Sequence, residues 1–590
     1  MVCKVKNKTL LCISWSFLAV LGFVKFLQIG SENINFANNI LYFILLITTS
    51  YIVYKCIQHI TKKILGFSVF FSVICAAILV LGAQIENYNG LIWTVATAGK
   101  IVFLSLFLLP YIVFAIKILE SYCMFESKEY TGRWIPWTIF LIIVAWWGMA
   151  YLALFPGIYD YDSIAQTLMF LVTGEISSHH PVVHSALLSG FLYVGKTVFN
   201  SYGIGLGIYS FLQMCFLAFV ATKISIYLLK KSRIIFGVSM IFYVFFPLHY
   251  VMAVWATKDI IFSSFFALVI LLLLDMIEKG KDFWGNKKNV CGYVVCILGM
   301  CLFRNNGLYA LLLMLPVCFF AFKEQRKMIW KYTLIAMAMY MVFQKGILPW
   351  ADVTPGNKRE MLSIPCQQMA KVYTESPNSF TEIQKEELFS LIPEKEINNY
   401  PILPMIGDVT KNYFDMEEFQ SDPIKYVKLY ISIGAKHPKK YIEAFMENSL
   451  GFWYPNKIYP DARMFHPYVE FRMADPNLFK GDYIYIERNS LFPWYEDKLA
   501  DIMEKTNWKN IPVVSSFFVP GTYFLLLLWA TIMCVYRKNY KFLVALGLCV
   551  GLWVTLFLSP VALVRYAYPI IFSLPLIVYI IFYTEKDRKI

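Results

Sequence analysis

About fourteen apolar runs recur along this chain, near 10–29, 38–55, 64–83, 98–117, 134–154, 204–229, 234–251, 259–276, 290–304, 306–322, 328–347, 513–535, 541–559 and 563–583. A helix needs roughly 20 apolar residues to cross the hydrocarbon layer of a membrane, and within lipid a helix satisfies all its own backbone groups. The runs therefore predict an all-α polytopic membrane protein with about fourteen transmembrane helices. Composition agrees: 58% hydrophobic against 16% charged residues, with a mean hydropathy of +0.57, is more apolar surface than a soluble core can hide. The formal charge of +14 comes from short Lys and Arg clusters between the runs, where cytoplasmic loops carry them, and calls for membrane lipids rather than nucleic acid as partner. The long polar stretch near the middle holds only Cys366, which excludes a disulfide framework there within one chain. The N-terminal run is long and lacks a small-residue cleavage site, so it reads as a first anchor rather than a signal peptide.

The stretch Val182 to Phe199 is apolar but interrupted by His184, Gly190, Gly195 and Lys196. If it lies on or dips into the outer surface, every basic cluster falls on one side: Lys4 to Lys8, Lys62-Lys63, Lys117 to Arg133, Lys230 to Arg233, Lys279 to Lys288, Lys323 to Lys327, Arg537 to Lys541 and Lys586 to Lys589. The expectation is thus a juxtamembrane or re-entrant segment, with both termini cytoplasmic. The chain divides into a transmembrane module (1–347) with an outer loop at 155–203, an extracytoplasmic domain (348–512), and C-terminal transmembrane helices (513–590). The middle segment is too long for an ordinary connection. Helical patterns at Met361–Glu375, Thr381–Ile392, Pro423–Ile433 and Lys439–Gly451 predict a mainly helical domain there.

The chemistry gathers at the outer ends of the apolar runs. After one run comes Pro156-Gly157-Ile158-Tyr159-Asp160-Tyr161-Asp162-Ser163, then Gln166 and His179-His180-Pro181. Ionisable groups near lipid are costly without a task. A carboxylate beside a bound hydroxyl can take its proton, and a second can tune the first or help hold a divalent cation. Asp162 could equally cap the helix beginning at Ser163, and adjacent histidines suit a solvated turn as well as a ligand site. Arg304, followed by Asn305-Asn306, and Arg565, followed by Tyr566, lie at outer helix ends, where a guanidinium can hold a phosphate bidentately or snorkel to the interface. Lys258-Asp259 adds a third cation and another carboxylate.

In this order along the chain, these residues resemble the GT-C superfamily of integral membrane glycosyltransferases, which includes protein O-mannosyltransferases, oligosaccharyltransferase catalytic subunits and the transferases that modify lipid A with aminoarabinose. The segment with Ser363-Ile364-Pro365-Cys366-Gln367-Gln368 looks like an uncharacterised bacterial branch of it. The resemblance implies a GT-C-like fold in a bacterial plasma membrane. It implies transfer of a sugar from a polyprenyl-phosphate donor to an extracytoplasmic glycan, lipid or protein acceptor. It casts Asp162, or else Asp160, as base, and puts Arg304, Arg565 and Lys258 on the donor phosphate. Gln166, His179, His180, Asp259, Asn305 and Tyr566 would line the substrates, and a divalent cation such as Mg or Mn is optional. The first-loop acids are split as Asp-Tyr-Asp, where the superfamily often has Asp-Glu or Asp-Asp. Two rival classes are an O-antigen-type polymerase or ligase acting on lipid-pyrophosphate glycans, and a transporter.

Overall fold

The computed structural model describes residues 2–27, 40–57, 60–121, 132–402, 404–456, 469, 471, 473, 484–511 and 513–583. The tail from Lys586 to Lys589, part of the Lys117–Arg133 cluster and the side chains of Lys4, Lys6 and Lys8 lie outside the described residues. Among the described residues the protein is all-helical, with only two isolated bridges, Ile158 with Trp255 and Ser177 with Thr354.

Among the described residues every apolar run falls largely on helix. Six helices among the described residues are long and apolar enough to cross a membrane: Lys62–Tyr88, Val95–Ser121, Ile135–Ala153, Val182–Phe199, Tyr202–Leu229 and Lys258–Lys279. The number rises to eight if two bent pairs each count once: Arg233–Phe245 with Pro247–Ala253, bent by 57°, and Val564–Phe572 with Leu574–Phe582, bent by 47°. Prolines explain both breaks, since Pro247 and Pro575 open the second helix of each pair and cannot donate into the turn before. Four other runs are shorter apolar helices, such as Asn306–Ala321. This is a multi-pass membrane architecture by length and composition, with six to eight such helices among the described residues.

The segment expected to lie on the surface is a continuous helix, Val182–Phe199. Its polar residues His184, Ser185 and Ser189 share one buried face, while Leu187, Val194 and Val198 are exposed, so the helix as a whole is apolar enough to span. His184 near its start meets Tyr209, and Gly195 near its end meets Gly205. These contacts are eleven residues apart on one helix and four on the other, so the two cross steeply. A Cβ on Gly195 would stand 2.4 Å from the Gly205 backbone, and the pair of glycines permits the close crossing.

The middle segment folds into short helices around its own core of Cys366, Met369, Tyr373, Leu388, Tyr426 and neighbours. The helices Ser363–Glu375, Glu382–Leu391, Pro423–Lys436 and Pro438–Asn448 follow the sequence patterns closely. A capping box at Thr381 and Gln384 fixes the start of the second. Backbone bonds tie this segment to the 155–181 loop: Ser178 N donates to Thr354 O at 2.8 Å and Asn489 N to Phe155 O at 2.8 Å. Glu443 accepts from Leu91 N, and Asn448 Nδ2 donates to Ser559 O. The helical segment and the acidic loop therefore occupy the same end of the molecule.

Candidate functional site

The loop after Ile135–Ala153 is fixed by a two-way backbone bridge: Ile158 N donates to Val254 O, and Ala256 N to Ile158 O, both at 3.0 Å. Gly157 makes this possible. Its φ is +130°, and a Cβ there would lie 2.2 Å from Ser210 Oγ and 2.9 Å from Val254 O. The chain then enters the helix Tyr161–Leu168.

Asp160, not Asp162, is the residue that caps this helix. With extended backbone at Asp160, its Oδ1 accepts from Ser163 N at 2.9 Å and from Ser163 Oγ at 2.8 Å, satisfying a first-turn amide that would otherwise be orphaned. Its Oδ2 accepts from Trp255 Nε1 at 3.0 Å and pairs with Arg565 at 3.3 Å. Asp162, two residues into the helix, points its Oδ2 at Arg565, 3.1 Å away, and at Lys258 Nζ, 3.3 Å away. Asp259, in the first turn of Lys258–Lys279, forms an ion pair with Arg304 and lies 3.9 Å from Arg565 Nε.

One guanidinium thus bridges three carboxylates, with Trp255, Tyr161 and Tyr566 rings 5.4–5.8 Å from its carbon. The Tyr566 ring also lies under Arg304, at 4.3 Å. Lys258 closes the cluster by donating to His180 Nδ1 at 3.0 Å. Three acidic and three basic side chains balance, as buried charges must. Burial and then the neighbouring Asp162 raise the Asp160 carboxyl above its ordinary range. Burial pushes Asp162 the same way, but Lys258, Arg565 and His180 together outweigh it and hold that carboxyl well below the carboxylate range. The His180 imidazole is pushed down to about 3, by burial first and Lys258 second, so at neutral pH it is uncharged and accepts a hydrogen bond from the lysine.

Access separates the two first-loop carboxylates. The Asp160 and Asp259 side chains are 1% and 0% exposed, whereas Asp162, Lys258 and Arg304 keep 11%, 15% and 11%. Gln166 lies one layer behind, donating to the Asp162 backbone carbonyl at 3.1 Å and meeting His184 Nδ1 at 2.5 Å. His184 Nε2 meets Tyr209, whose hydroxyl donates to Gln213, and Gln213 donates back to Trp255 O at 2.7 Å. His179 is exposed on the rim, edge-on to His180. Asn305 is turned away, its carbonyl accepting from Tyr340 at 2.7 Å. Sequence reading missed Tyr161, Trp255, His184, Tyr209 and Gln213. The one available signal was a histidine inside an apolar run. Among the described residues no three His, Cys, Asp or Glu side chains group as metal ligands, because guanidinium, ammonium and indole donors occupy these carboxylates.

No curated protein and no solved structure matches the chain. Residues 172–590 match a family of unknown function; that region takes in His179, His180, Lys258, Asp259, Arg304 and Arg565 and begins just after the two first-loop aspartates. With well over half its length inside that match, the chain belongs to the family of unknown function DUF6020.

Proposed function

We propose that the protein is a GT-C-type glycosyltransferase that moves a sugar from a polyprenyl-phosphate donor to a glycan, lipid or protein acceptor outside a bacterial plasma membrane. In this reading the shorter apolar helices complete about fourteen spans and both termini are cytoplasmic. The observation that carries it is Asp162: an ionised, partly open carboxylate held between Lys258 and Arg565 where membrane helices end, beneath a separate helical segment.

An acceptor hydroxyl bonded to Asp162 attacks the anomeric carbon, and its proton passes to the carboxylate. The bond from that carbon to the phosphate oxygen breaks, and polyprenyl phosphate leaves with the electron pair. Arg304 and Lys258, the two partly open cations, meet the growing negative charge. As Lys258 turns from Asp162 toward the phosphate, the carboxylate loses its largest source of acid strengthening and becomes a better base. Arg565, enclosed by carboxylates, holds the acids in place.

The test offers purified protein in a lipid mimic a polyprenyl-monophosphate sugar and, separately, a lipid-pyrophosphate oligosaccharide. Release of polyprenyl phosphate from the first is expected, and consumption of the second alone would replace this reading with a polymerase or ligase. A transporter is the second reading, favoured by the two bent helix pairs, since broken helices line transport sites. It predicts that neither donor is consumed while solute crosses proteoliposomes.

A further inference from the structure

A groove of about 1010 Å³ lies at the opposite end of the molecule from the carboxylate cluster. Its walls are the start of Ile135–Ala153 and the last turns of Tyr202–Leu229 and Lys258–Lys279. Because Lys258–Lys279 begins in the site and rises about 1.5 Å per residue, the groove is roughly 30 Å away, the thickness of a hydrocarbon core.

Phe216, Phe219, Leu271 and Leu272 make the groove apolar toward the middle of the helices, and lysines gather with Phe140 and Ile226 toward the end away from the carboxylate cluster. Two of these are neutralised within the protein: Lys231 pairs with Glu278 at 2.7 Å and Lys279 with Asp275 at 2.6 Å. Lys223 and Lys230 have no carboxylate partner among the described residues. Lys223 lies in the helix Tyr202–Leu229 and Lys230 caps its end, seven residues on and about 10 Å along the axis. An apolar channel leading to two uncompensated ammonium groups is complementary to an acyl chain ending in a negative head.

We infer that this groove binds an anionic phospholipid, one acyl chain along the Phe216–Leu272 wall and the phosphate between Lys223 and Lys230. A zwitterionic lipid would bring its own ammonium against the two lysines, so charge selects between them. This site is independent of the glycosyltransferase reading.

The full chain is reconstituted in an equal mixture of phosphatidylglycerol and phosphatidylcholine with matched acyl chains, and retained lipids are counted by native mass spectrometry. Wild type should retain phosphatidylglycerol. The double variant Lys223→Gln/Lys230→Gln should retain about tenfold less, while Lys281→Gln/Lys288→Gln, at the same end but outside the groove, should match wild type. Added inorganic phosphate should leave the lipid in place. Equal retention of both lipids by wild type, undiminished binding in the double variant, an equal loss in the control pair, or displacement by inorganic phosphate would each overturn the assignment. The wild-type comparison stands even if the double variant fails to fold.

Discussion

Arg565 and Arg304 look alike in the sequence, each a guanidinium at the end of an apolar run, yet they have different surroundings. Arg565 is enclosed by Asp160, Asp162 and Asp259, whereas Arg304 answers Asp259 alone and stays partly open. Arg565→Ala should therefore cost about 3–5 kcal/mol of stability, the usual effect of orphaning buried charge, seen as a lowered unfolding temperature. Arg304→Ala should fold and instead weaken donor binding by about 1.5–3 kcal/mol, measured by donor titration. Asp162→Asn should lower transfer about 10²-fold or more, since the amide cannot take a proton. Asp160→Asn should do less, because Asn caps a helix about as well as Asp; equal turnover rates for wild type and Asp162→Asn would remove the base from the mechanism. His180 adds a pH dependence. The unfolded chain takes up its proton near the ordinary histidine value while the folded site resists to about 3, so stability should fall as pH drops below about 6.5. That loss, roughly 2 kcal/mol by about pH 5, should shrink in His180→Gln when unfolding is followed across pH. The charged residues of this cluster were legible because each stands beside an apolar run. Which carboxylate caps was not, since Asp160 and Asp162 both precede plausible first turns and only the bridge between Ile158 and Trp255 sets the start.

The element that aims these groups is the short helix Tyr161–Leu168, and its placement depends on one glycine. Gly157→Ala should cost about 1–3 kcal/mol through its left-handed backbone. Ser210→Gly should restore only part of it in the double variant, since Val254 O remains 2.9 Å from the new Cβ. Thermal unfolding of the single and double variants gives the comparison. Elsewhere, the helices around Cys366 were readable to within a few residues because Thr381, Asp422 and Pro438 mark their starts in the sequence itself. What the sequence did not show for Val182–Phe199 is what its interruptions His184 and Gly195 meet. Both face protein, one toward Gln166 and Tyr209 and the other toward Gly205, and a sequence without its neighbours does not show which face is buried.

Across the whole molecule, Lys258–Lys279 and Tyr202–Leu229 run from the cluster toward the basic groups at Lys279–Lys288 and Lys230–Arg233. These groups should therefore face the side opposite to the 155–181 loop. With exposed Cys291 changed to Ser, an impermeant thiol reagent should label Glu175→Cys in intact cells, and Lys287→Cys only after permeabilisation. Labelling of both from outside would refute the arrangement. Charge alone carries the expectation that the basic clusters group on one side, and this labelling tests it. The convergence of residues from four distant stretches was not, because nothing in Val564-Arg565-Tyr566 names its partner 405 positions earlier. That separation sets an order of assembly. At about 5–20 residues per second of synthesis, Asp160 is made on the order of half a minute before Arg565. Within that interval Asp162 and Asp259 gain Lys258 and Arg304, but Asp160, whose basic partner is Arg565, must wait through the whole of it. The helix pair at 564–582 then delivers its counter-ion and the guanidinium that joins all three acids, so a chain stopped short of it has no means of closing its own site.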